Sequence, residues 1–377
     1  DRRGWDAFYV RNATLRRKGW RIETWPMAPE ERDVPFPVPF PSSAYNQGKT
    51  VNGGLFLEWA ALPNDQEAHM ADTRRANYAC EILSRDTRQP FFLAVGLYTP
   101  HFPNYAPQKY FDLYDPETLE APPYYANDTE DLPEAMRRRM DNRRKQHHDP
   151  LVAMGALHDA IHGYLASVSY ADAMLGRVLT ALRDGPHADN TLIVFWSDHG
   201  YHHGEKGQWG KHTLWERTSN VPFLWAGPGV AQGARVDTTV SLIDVFPTLV
   251  ELCALTPIDG LEGHSLAPVL SAPQTASDRN VFLPYTRPEA YAVINQGWRY
   301  IQYEDGSEEL YDQRQDPHEW HNLAKAPEMA DIIRHMQSTA PKQFAPRATP
   351  ITQLQLVLDG EDFYWNPKNA PSDRKRP

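Results

Sequence analysis

The chain contains very few cysteines, and their scarcity excludes one class of protein. Cys80 and Cys253 are the only two among 377 residues, too few for a small scaffold held together by disulfides. Neither cysteine lies in a CxxC pattern of the kind that binds zinc. Whether the two thiols pair stays open, because a disulfide depends on the distance between their Cα atoms, which the sequence does not give.

The sequence also lacks a long apolar run and an excess of positive charge. No stretch is apolar over the roughly 20 residues that a membrane-spanning helix needs. The formal net charge of −11 disfavours a dedicated nucleic-acid-binding protein, so we expect no nucleic-acid partner. The chain starts Asp1-Arg2-Arg3, with no Met and no apolar leader, so we expect no signal peptide here and a start within a longer protein.

The most informative stretch runs from Thr191 to Gly229. It opens with the apolar run Leu192–Trp196, which predicts a buried parallel strand. Ser197-Asp198-His199-Gly200 follows at once, and ligands of open α/β sheets bind beyond the carboxyl ends of the strands. A polar loop then leads to a second apolar run, Val221–Trp225. A polar loop between two core strands indicates a functional site.

Other segments supply the rest of an α/β pattern. Residues 90–97 are apolar and predict a second buried strand, which ends in a turn that contains His101. Apolar residues at helical spacing predict a helix over 160–182, directly before the central strand. Short alternating runs predict a small antiparallel sheet, with strands at 291–294, 298–303 and 309–311.

Three further segments are predicted to be structural. Residues 65–84 and 241–255 predict helices, and we interpret Asp244 as a structural carboxylate at the start of the second one. The basic run 137–145 is typical of a solvated helix face, which we favour over a surface that binds a polyanion.

Several of these sequence motifs together resemble those of the sulfatase family, within the alkaline-phosphatase-like superfamily. The resemblance rests on Ser197-Asp198-His199-Gly200, on the run Gly204–Glu216 and on Val221-Pro222, and it is strongest for the iduronate-2-sulfatase and choline-sulfatase branch. The turn Thr99-Pro100-His101-Phe102-Pro103 is similar to the family's K-P-H-x-P turn. The segment Glu309–Leu323 is similar to a C-terminal motif of the family. The resemblance extends over roughly residues 91–323.

The resemblance implies a fold and a division into domains. The expected fold class is α/β: an alkaline-phosphatase-like α/β/α sandwich with a mostly parallel central sheet. A smaller C-terminal α+β subdomain with a short antiparallel sheet is expected beside it. We expect residues 1–275 to form the catalytic domain, without its N-terminal part, and residues 276–377 to form the C-terminal subdomain and tail.

The resemblance also implies roles for named residues. Asp198 and His199 match the family's metal site, for which Ca²⁺ is expected, with Mg²⁺ or another divalent metal as the alternative. Lys211 matches the sulfate-binding lysine and His101 the sulfate-contacting histidine; both are candidates for catalysis by proton donation to the leaving oxygen. Thr99 stands where a lysine is common, so one cationic contact is expected to be missing. Further candidates for substrate binding are His202, His203, Trp209 and His212. Trp209 fits a sugar-stacking ring and a core aromatic equally well.

The family's nucleophile is not found in this chain. Sulfatases use a formylglycine made from Cys or Ser in a C/S-x-P-x-R motif, and no such motif occurs here. Cys80 precedes Glu-Ile-Leu and Cys253 precedes Ala-Leu-Thr, and neither sequence fits. We therefore expect the formylglycine in an N-terminal part outside this chain.

The expected function is hydrolysis of a sulfate monoester, on a sulfated carbohydrate, by a metal-assisted formylglycine mechanism. One alternative is a phosphodiesterase or phosphonate monoester hydrolase of the same superfamily, and another is a non-catalytic relative that binds sulfated glycans. The resemblance implies an extracytoplasmic location, and Asn12 and Asn127 begin sequons that a suitable host could glycosylate. The oligomeric state stays open.

Overall fold

The structure is a computed structural model that describes residues 43, 57–87, 89–285, 289–344, 349, 353–359 and 362–367. All structural statements below concern these residues. Residues 1–50 lie almost wholly outside them, and so does the sequon at Asn12.

Helices and strands alternate in the first part of the chain, and strands dominate the last part. The helices are α1 (Ala71–Ser84), α2 (Gln108–Phe111), α3 (Glu134–Ala153), α4 (Leu157–Arg183), α5 (Glu216–Ser219), α6 (Val245–Leu252), α7 (Ala267–Ser271) and α8 (Ala330–Gln337). The strands are β1 (Trp59–Leu62), β2 (Asn104–Pro107), β3 (Ile193–Trp196), β4 (His202–His203), β5 (Trp209–Gly210), β6 (Phe223–Ala226), β7 (Val281–Pro284), β8 (Tyr291–Ile294), β9 (Trp298–Gln302), β10 (Glu308–Asp312), β11 (Leu354–Asp359) and β12 (Asp362–Pro367).

The helix predicted over 160–182 is confirmed as α4. Its apolar side packs against α1, β1 and β2, where Ala166, Tyr170 and Met174 are fully buried. The approach to β1 is close, because a Cβ on Gly163 would lie 2.5 Å from the Cβ of Trp59. The helix predicted over 65–84 is a 3₁₀ turn, Asn64–His69, followed by α1.

The strands before residue 230 form separate pairs within the described residues. β1 pairs with β2 in parallel, and β3 pairs with β6 in antiparallel register, with Ile193 opposite Ala226. The prediction of a buried parallel strand at 192–196 was therefore wrong: Trp196 is 44% exposed and its partner strand runs the opposite way. An apolar run shows that a segment is suited to burial, but not which strands cover it.

Residues 90–97, the second predicted strand, belong to no described strand ladder. They lie between α1 and the turn with His101, and Phe91 and Val95 are exposed. Their composition is that of a strand, but β-structure also requires a neighbour to accept and donate the ladder hydrogen bonds.

The predicted antiparallel sheet of the C-terminal part is confirmed. Its order is β10-β9-β8-β7, and every neighbouring pair is antiparallel. β7 was not predicted. Tyr291, Val293, Tyr300 and Leu310 form a buried core with Met336 of α8. The division of the chain near residue 275 stays a prediction.

A shared core joins this sheet to the segment that follows β5. Trp215 packs with Met140 of α3 and with Ile301 and Tyr311 of the sheet. Because Trp215 lies just after the polar loop, the sheet and α3 together hold one end of that loop.

Two smaller predictions are also settled by the structure. Asp244 is a buried structural carboxylate: it closes a capping box with Ser241, accepts hydrogen bonds from the backbone N–H groups of Ser241 and His264 at 2.8 Å, and pairs with Arg279. It precedes α6, which is shorter than the helix predicted over 241–255. Cys80 and Cys253 are both free thiols.

Candidate functional site

Phe102 brings the two predicted strand ends together. It follows His101 directly, is buried, and its ring centroid lies 5.7 Å from that of Tyr201 and 6.4 Å from that of Trp209. The turn at 98–103 therefore packs against the loop that follows β3. The expectation that the two turns meet at one place agrees with this packing.

Asp198, His199 and Lys211 form a small cluster at the end of β3. The Asp198 side chain is 82% exposed, and its Oδ2 lies 3.5 Å from His199 Nε2. The other ring nitrogen, His199 Nδ1, lies 2.8 Å from the carbonyl oxygen of Gly200, which can only accept. Nδ1 therefore carries the proton, and Nε2 accepts a hydrogen bond from the Lys211 ammonium at 2.7 Å.

Gly200 is required where the chain leaves this cluster. A Cβ at this position would lie 2.1 Å from the carbonyl oxygen of Arg217, and the Gly200 N–H donates to the carbonyl of Thr218 at 3.0 Å. Any larger residue would push apart the two ends of the loop.

The loop itself is a short hairpin of β4 and β5, in which His203 lies opposite Trp209. Gly204, Lys206 and Gly207 all have positive φ values, 119°, 53° and 62°. Three such residues between two short strands turn the chain back sharply, so that Lys211 returns to His199.

Lys206 anchors the tip of the hairpin and does not face solvent. Its ammonium donates to Asp128 Oδ1 at 2.5 Å and to the backbone carbonyl of Glu319, and it lies 4.9 Å from the ring centroid of Trp215. Burial raises the pKa of Asp128 to about 6, and Lys206 opposes part of that shift.

The acidic residues of the loop pair with arginines. Glu205 Oε1 lies 3.3 Å from Arg217 Nε. Glu216 pairs with the buried Arg299, which also donates to the carbonyl of Leu214 at 2.9 Å. The contacts of Arg299 hold the C-terminal end of the loop against the C-terminal sheet, while the pair of Glu205 and Arg217 lies within the loop region.

The turn with His101 is shaped by Asp72 of α1. The Asp72 carboxylate accepts hydrogen bonds from the backbone N–H groups of Tyr98 and Thr99 at 3.0 and 2.8 Å, and from the Thr99 hydroxyl at 2.5 Å. Thr99, which stands where a lysine is common in the family, thus fixes the turn. His101 Nδ1 lies 2.6 Å from the carbonyl oxygen of Phe102, which leaves the lone pair on Nε2.

Three of the predicted substrate-binding residues are packed inside the protein, which corrects the prediction for direct contacts. Trp209 is fully buried and its indole N–H lies 3.4 Å from His148 Nδ1, so it has no exposed face for a sugar ring. His202 is 1% exposed and bonds to Thr213 Oγ1 at 3.0 Å; burial holds its pKa well below the usual range. The His203 ring lies 3.8 Å from that of Tyr164, and burial lowers its pKa to about 3. The fourth predicted residue, His212, is exposed.

Arg143 is the site residue that the sequence analysis missed. Its Nη2 donates to the carbonyl of Trp209 at 2.9 Å and its Nη1 lies 3.5 Å from the carbonyl of His212. It belongs to the basic run of α3, which we had interpreted as a solvated face. Its spacing of four residues from Arg139 places both on one face of the helix, and only the structure shows that this face meets the loop.

Asp198 is suited to a hard divalent cation, but the described residues do not complete a shell. Its carboxylate is exposed and, among the described residues, makes only the long contact to His199. Ca²⁺ takes about six to eight oxygen ligands, and no group of three or more His, Cys, Asp or Glu side chains in the described part of the chain could hold a metal. Asp198 therefore fits as one ligand, while His199 Nε2 is occupied by Lys211.

The family model for sulfatases matches residues 15–254. The chain belongs to the sulfatase family. A second model, described as the C-terminal part of N-sulphoglucosamine sulphohydrolase, matches residues 204–344. The motifs around Asp198 and Lys211 lie inside the first match, so the resemblance seen in the sequence is confirmed.

Relatives with assigned names are longer than this chain. A sulfatase of Formosa agariphila is 39% identical over 290 residues, which cover 77% of this chain and 57% of the relative. A choline-sulfatase of Rhizobium meliloti is 31% identical over 294 residues, covering 75% of this chain and 56% of the relative. The chain thus spans little more than half the length of these sulfatases.

Solved structures confirm the fold class. A phosphonate monoester hydrolase from Silicibacter pomeroyi superposes with a TM-score of 0.61 at 18% identity, covering 86% of this chain and 72% of that one. A structure described as in complex with its substrate, D-glucosamine-2-N,6-O-disulfate, superposes with a TM-score of 0.57 at 20% identity, covering 71% and 68%. The prediction of an alkaline-phosphatase-like α/β fold is therefore confirmed. No helix in the described ranges is long and apolar enough to cross a membrane.

Proposed function

We propose that this chain carries the sulfate-recognition half of a sulfatase that hydrolyses a sulfate monoester on a sulfated carbohydrate. The observation that carries the proposal is the Lys211 ammonium held 2.7 Å from His199 beside the exposed Asp198 carboxylate. Membership of the sulfatase family supports the reaction class.

The residues of the site have different roles in the proposed cleavage of the sulfate ester. Lys211 supplies a compact positive charge for a sulfuryl oxygen, where negative charge accumulates. His101 has its Nδ1 proton held by the Phe102 carbonyl, so Nε2 is the ring atom that takes up a proton and gives it to the departing oxygen. Phe102 packs this turn against the loop through its contacts with Tyr201 and Trp209.

Asp198 is the residue that would hold a divalent metal, with His199 joining it once Lys211 moves to the sulfate. A bound Ca²⁺ or Mg²⁺ would supply positive charge for the sulfuryl oxygens. The formylglycine would come from polypeptide outside the 377 residues, since no C/S-x-P-x-R word occurs among them.

The test is release of sulfate by the full protein, loaded with Ca²⁺ and assayed on a sulfated oligosaccharide and on an aryl sulfate. We expect sulfate release, and a loss of about 10²–10³-fold in kcat/KM for Lys211→Ala, because a preorganised charge opposite the sulfuryl group is lost. Lys145→Ala, a change in α3 at an exposed lysine, is the matched control.

The second candidate function is hydrolysis of phosphonate monoesters, favoured by the likeness to the Silicibacter pomeroyi enzyme. The same assay with a phosphonate monoester decides between the two. A higher kcat/KM for the phosphonate than for either sulfate ester would overturn the sulfatase proposal. Tight binding of the sulfated sugar without turnover of any ester would instead identify a non-catalytic relative.

The location proposed for the protein is extracytoplasmic, on the basis of the family resemblance. Asn127, which begins one of the two sequons, lies exposed before α3. Fractionation of the native source with an antibody against the chain tests this proposal, and recovery from the cytoplasmic fraction alone would contradict it.

A further inference from the structure

We propose that Arg139, Arg143 and His212 form an anion subsite beside Lys211, which binds a second negative group of the substrate sugar. This inference rests on the proposed function of the Lys211 site and adds that the substrate carries two anionic groups. The second group is a planar or tetrahedral oxyanion, either a uronate carboxylate or another sulfate ester.

Arg143 and the Tyr285 hydroxyl both reach the backbone carbonyl of His212, and Arg139 is linked to it through Tyr285. Arg143 Nη1 lies 3.5 Å from the carbonyl oxygen of His212, and the Tyr285 hydroxyl donates to the same oxygen at 2.7 Å. Arg139 Nη2 donates in turn to the Tyr285 hydroxyl at 3.3 Å. Lys211 precedes His212 in the chain, so the two guanidinium groups and the predicted sulfate contact belong to one surface.

Two of the arginines on α3 have acidic partners, whereas Arg137, Arg139 and Arg143 have none among the described residues. Arg138 pairs with Glu134 at 3.1 Å, and Arg144 lies 3.7 Å from Asp141 and 3.6 Å from Asp149. Among the described residues, no carboxylate lies within 4.0 Å of the guanidinium groups of Arg139 or Arg143. The positive charge of this face is thus left without a counter-charge where it meets the loop.

The electrostatic consequence is visible in the neighbouring groups. Burial lowers the pKa of His212, and the charges of Arg143, Lys211, Arg139 and His199 lower it further. Burial also lowers the pKa of Arg143, with Arg139 adding to the effect. Cations that repel one another in a partly buried site are stabilised by an anion between them.

The chemistry of the donors fits an oxyanion on a sugar ring. A guanidinium presents N–H groups in a planar fork that matches two oxygens of a carboxylate or sulfate. The exposed imidazole of His212 adds a further polar group to this surface. The scissile sulfate faces Lys211, and the second anion faces the α3 arginines.

The experiment measures binding to the Ca²⁺-loaded full protein by calorimetry at low salt. The probes are three disaccharides: one with a single sulfate, one with a sulfate and a uronate, and one with two sulfates. We expect at least one dianionic probe to bind about tenfold more tightly than the monosulfated probe, because its second anion would accept a charge-assisted hydrogen bond from Arg139 or Arg143. The probe that gains affinity identifies the source of the second anion.

The variants separate this subsite from the Lys211 site. Arg139→Gln should remove the tenfold gain, and the loss should be confined to dianionic probes. Arg143 also holds two loop carbonyls, so Arg143→Lys, which keeps the charge, is preferred there and should retain part of the gain. Arg138→Gln, on the same helix but paired with Glu134, is the matched control and should leave all three affinities unchanged.

Two results would overturn the inference and leave the proposed function standing: equal binding of all three probes, or an equal loss for all three in Arg139→Gln. If none of the probes binds to the unaltered protein, that result contradicts both the proposed sulfate site at Lys211 and the subsite. High salt should weaken the dianionic probes more than the monosulfated one.

Discussion

The Lys211 ammonium nitrogen lies 2.7 Å from His199 Nε2, the nitrogen lone pair that a metal ion would otherwise use. His199 Nδ1 is held by the Gly200 carbonyl, so the ring cannot offer its other nitrogen without breaking that bond. Lysine and metal therefore compete for one atom. In the proposed reaction, transfer of Lys211 to the sulfate would leave His199 available as a ligand beside Asp198.

Replacing Lys211 should strengthen metal binding. Lys211→Met removes a positive charge next to the metal position and frees Nε2, so we expect the affinity for Ca²⁺ or Zn²⁺ to rise about tenfold, since one charge at this distance contributes about 1–4 kcal/mol. Calorimetric titration with each metal measures the effect, with Lys145→Met as the control. An unchanged or weaker affinity would show that His199 is not a ligand.

His203 should make the protein sensitive to mild acid. Burial lowers its pKa to about 3 in the folded protein, against 6.5 in the unfolded chain, so the unfolded chain binds the proton more tightly in this range. Its contribution to stability is full above pH 6.5 and is lost as the pH falls toward 3. Between pH 7 and pH 5 the loss is about 1–2 kcal/mol, because part of the residue stays accessible.

Urea unfolding of His203→Phe measures this contribution. The variant keeps an aromatic ring against Tyr164 but does not titrate, so its free energy of unfolding should fall less between pH 7 and pH 5 than that of the unaltered protein. His158→Phe, at an exposed histidine of α4, is the control. Parallel pH profiles for the unaltered protein and His203→Phe would contradict the prediction.

Lys206 combines a buried ammonium with a left-handed backbone, and two variants separate these features. Lys206→Ala and Lys206→Gly both remove the contacts with Asp128 and the Glu319 carbonyl, so both should lose about 3–5 kcal/mol. The glycine variant should be more stable than the alanine variant by about 1 kcal/mol, because φ at this position is 53°.

The control for this comparison is Lys145 of helix α3. There the order should reverse, with alanine more stable than glycine by about 1 kcal/mol, because alanine favours a helix. Chemical unfolding of the four variants measures both differences. Equal stabilities of Lys206→Ala and Lys206→Gly would show that the backbone at 206 relaxes when the side chain is removed.

Trp209 is expected to behave as a core residue. Trp209→Ala should lower the free energy of unfolding by about 3–5 kcal/mol, since the indole is fully buried. Trp196→Ala, at a tryptophan that is 44% exposed, should cost less than about 1 kcal/mol. If Trp209→Ala instead left stability intact and abolished binding of a sulfated sugar, the ring would belong to the substrate site after all.

The sequence predicted those elements whose side-chain pattern is complete within one segment. α4 repeats apolar residues at helical spacing over its whole length. β8 and β9 are short runs rich in apolar and aromatic residues. All three elements were therefore placed correctly. Residues 90–97 and β3 failed because their pairing depends on strands elsewhere in the chain. Apolar composition specifies what a strand can pack against, but not which partner supplies its hydrogen bonds.

The same distinction holds for the site. Asp198, His199 and Lys211 lie close together because a short glycine-rich hairpin determines their geometry locally. Arg143 was missed because its role depends on a helix more than 60 residues earlier in the chain meeting the loop. Trp209 could not be assigned from its neighbours, since a tryptophan between glycines suits a core and a sugar site equally well.

The pair formed by β3 and β6 should open more readily than the C-terminal sheet of β7 to β10. No residue of either strand belongs to the buried clusters of the described residues, whereas β8, β9 and β10 each contribute several. A segment with few buried contacts has a low free energy of local opening and is cut first by a protease. The strand that presents Asp198 should therefore be cut by a protease before the C-terminal sheet is, and a bound ligand that joined Asp198 to Lys211 should protect it.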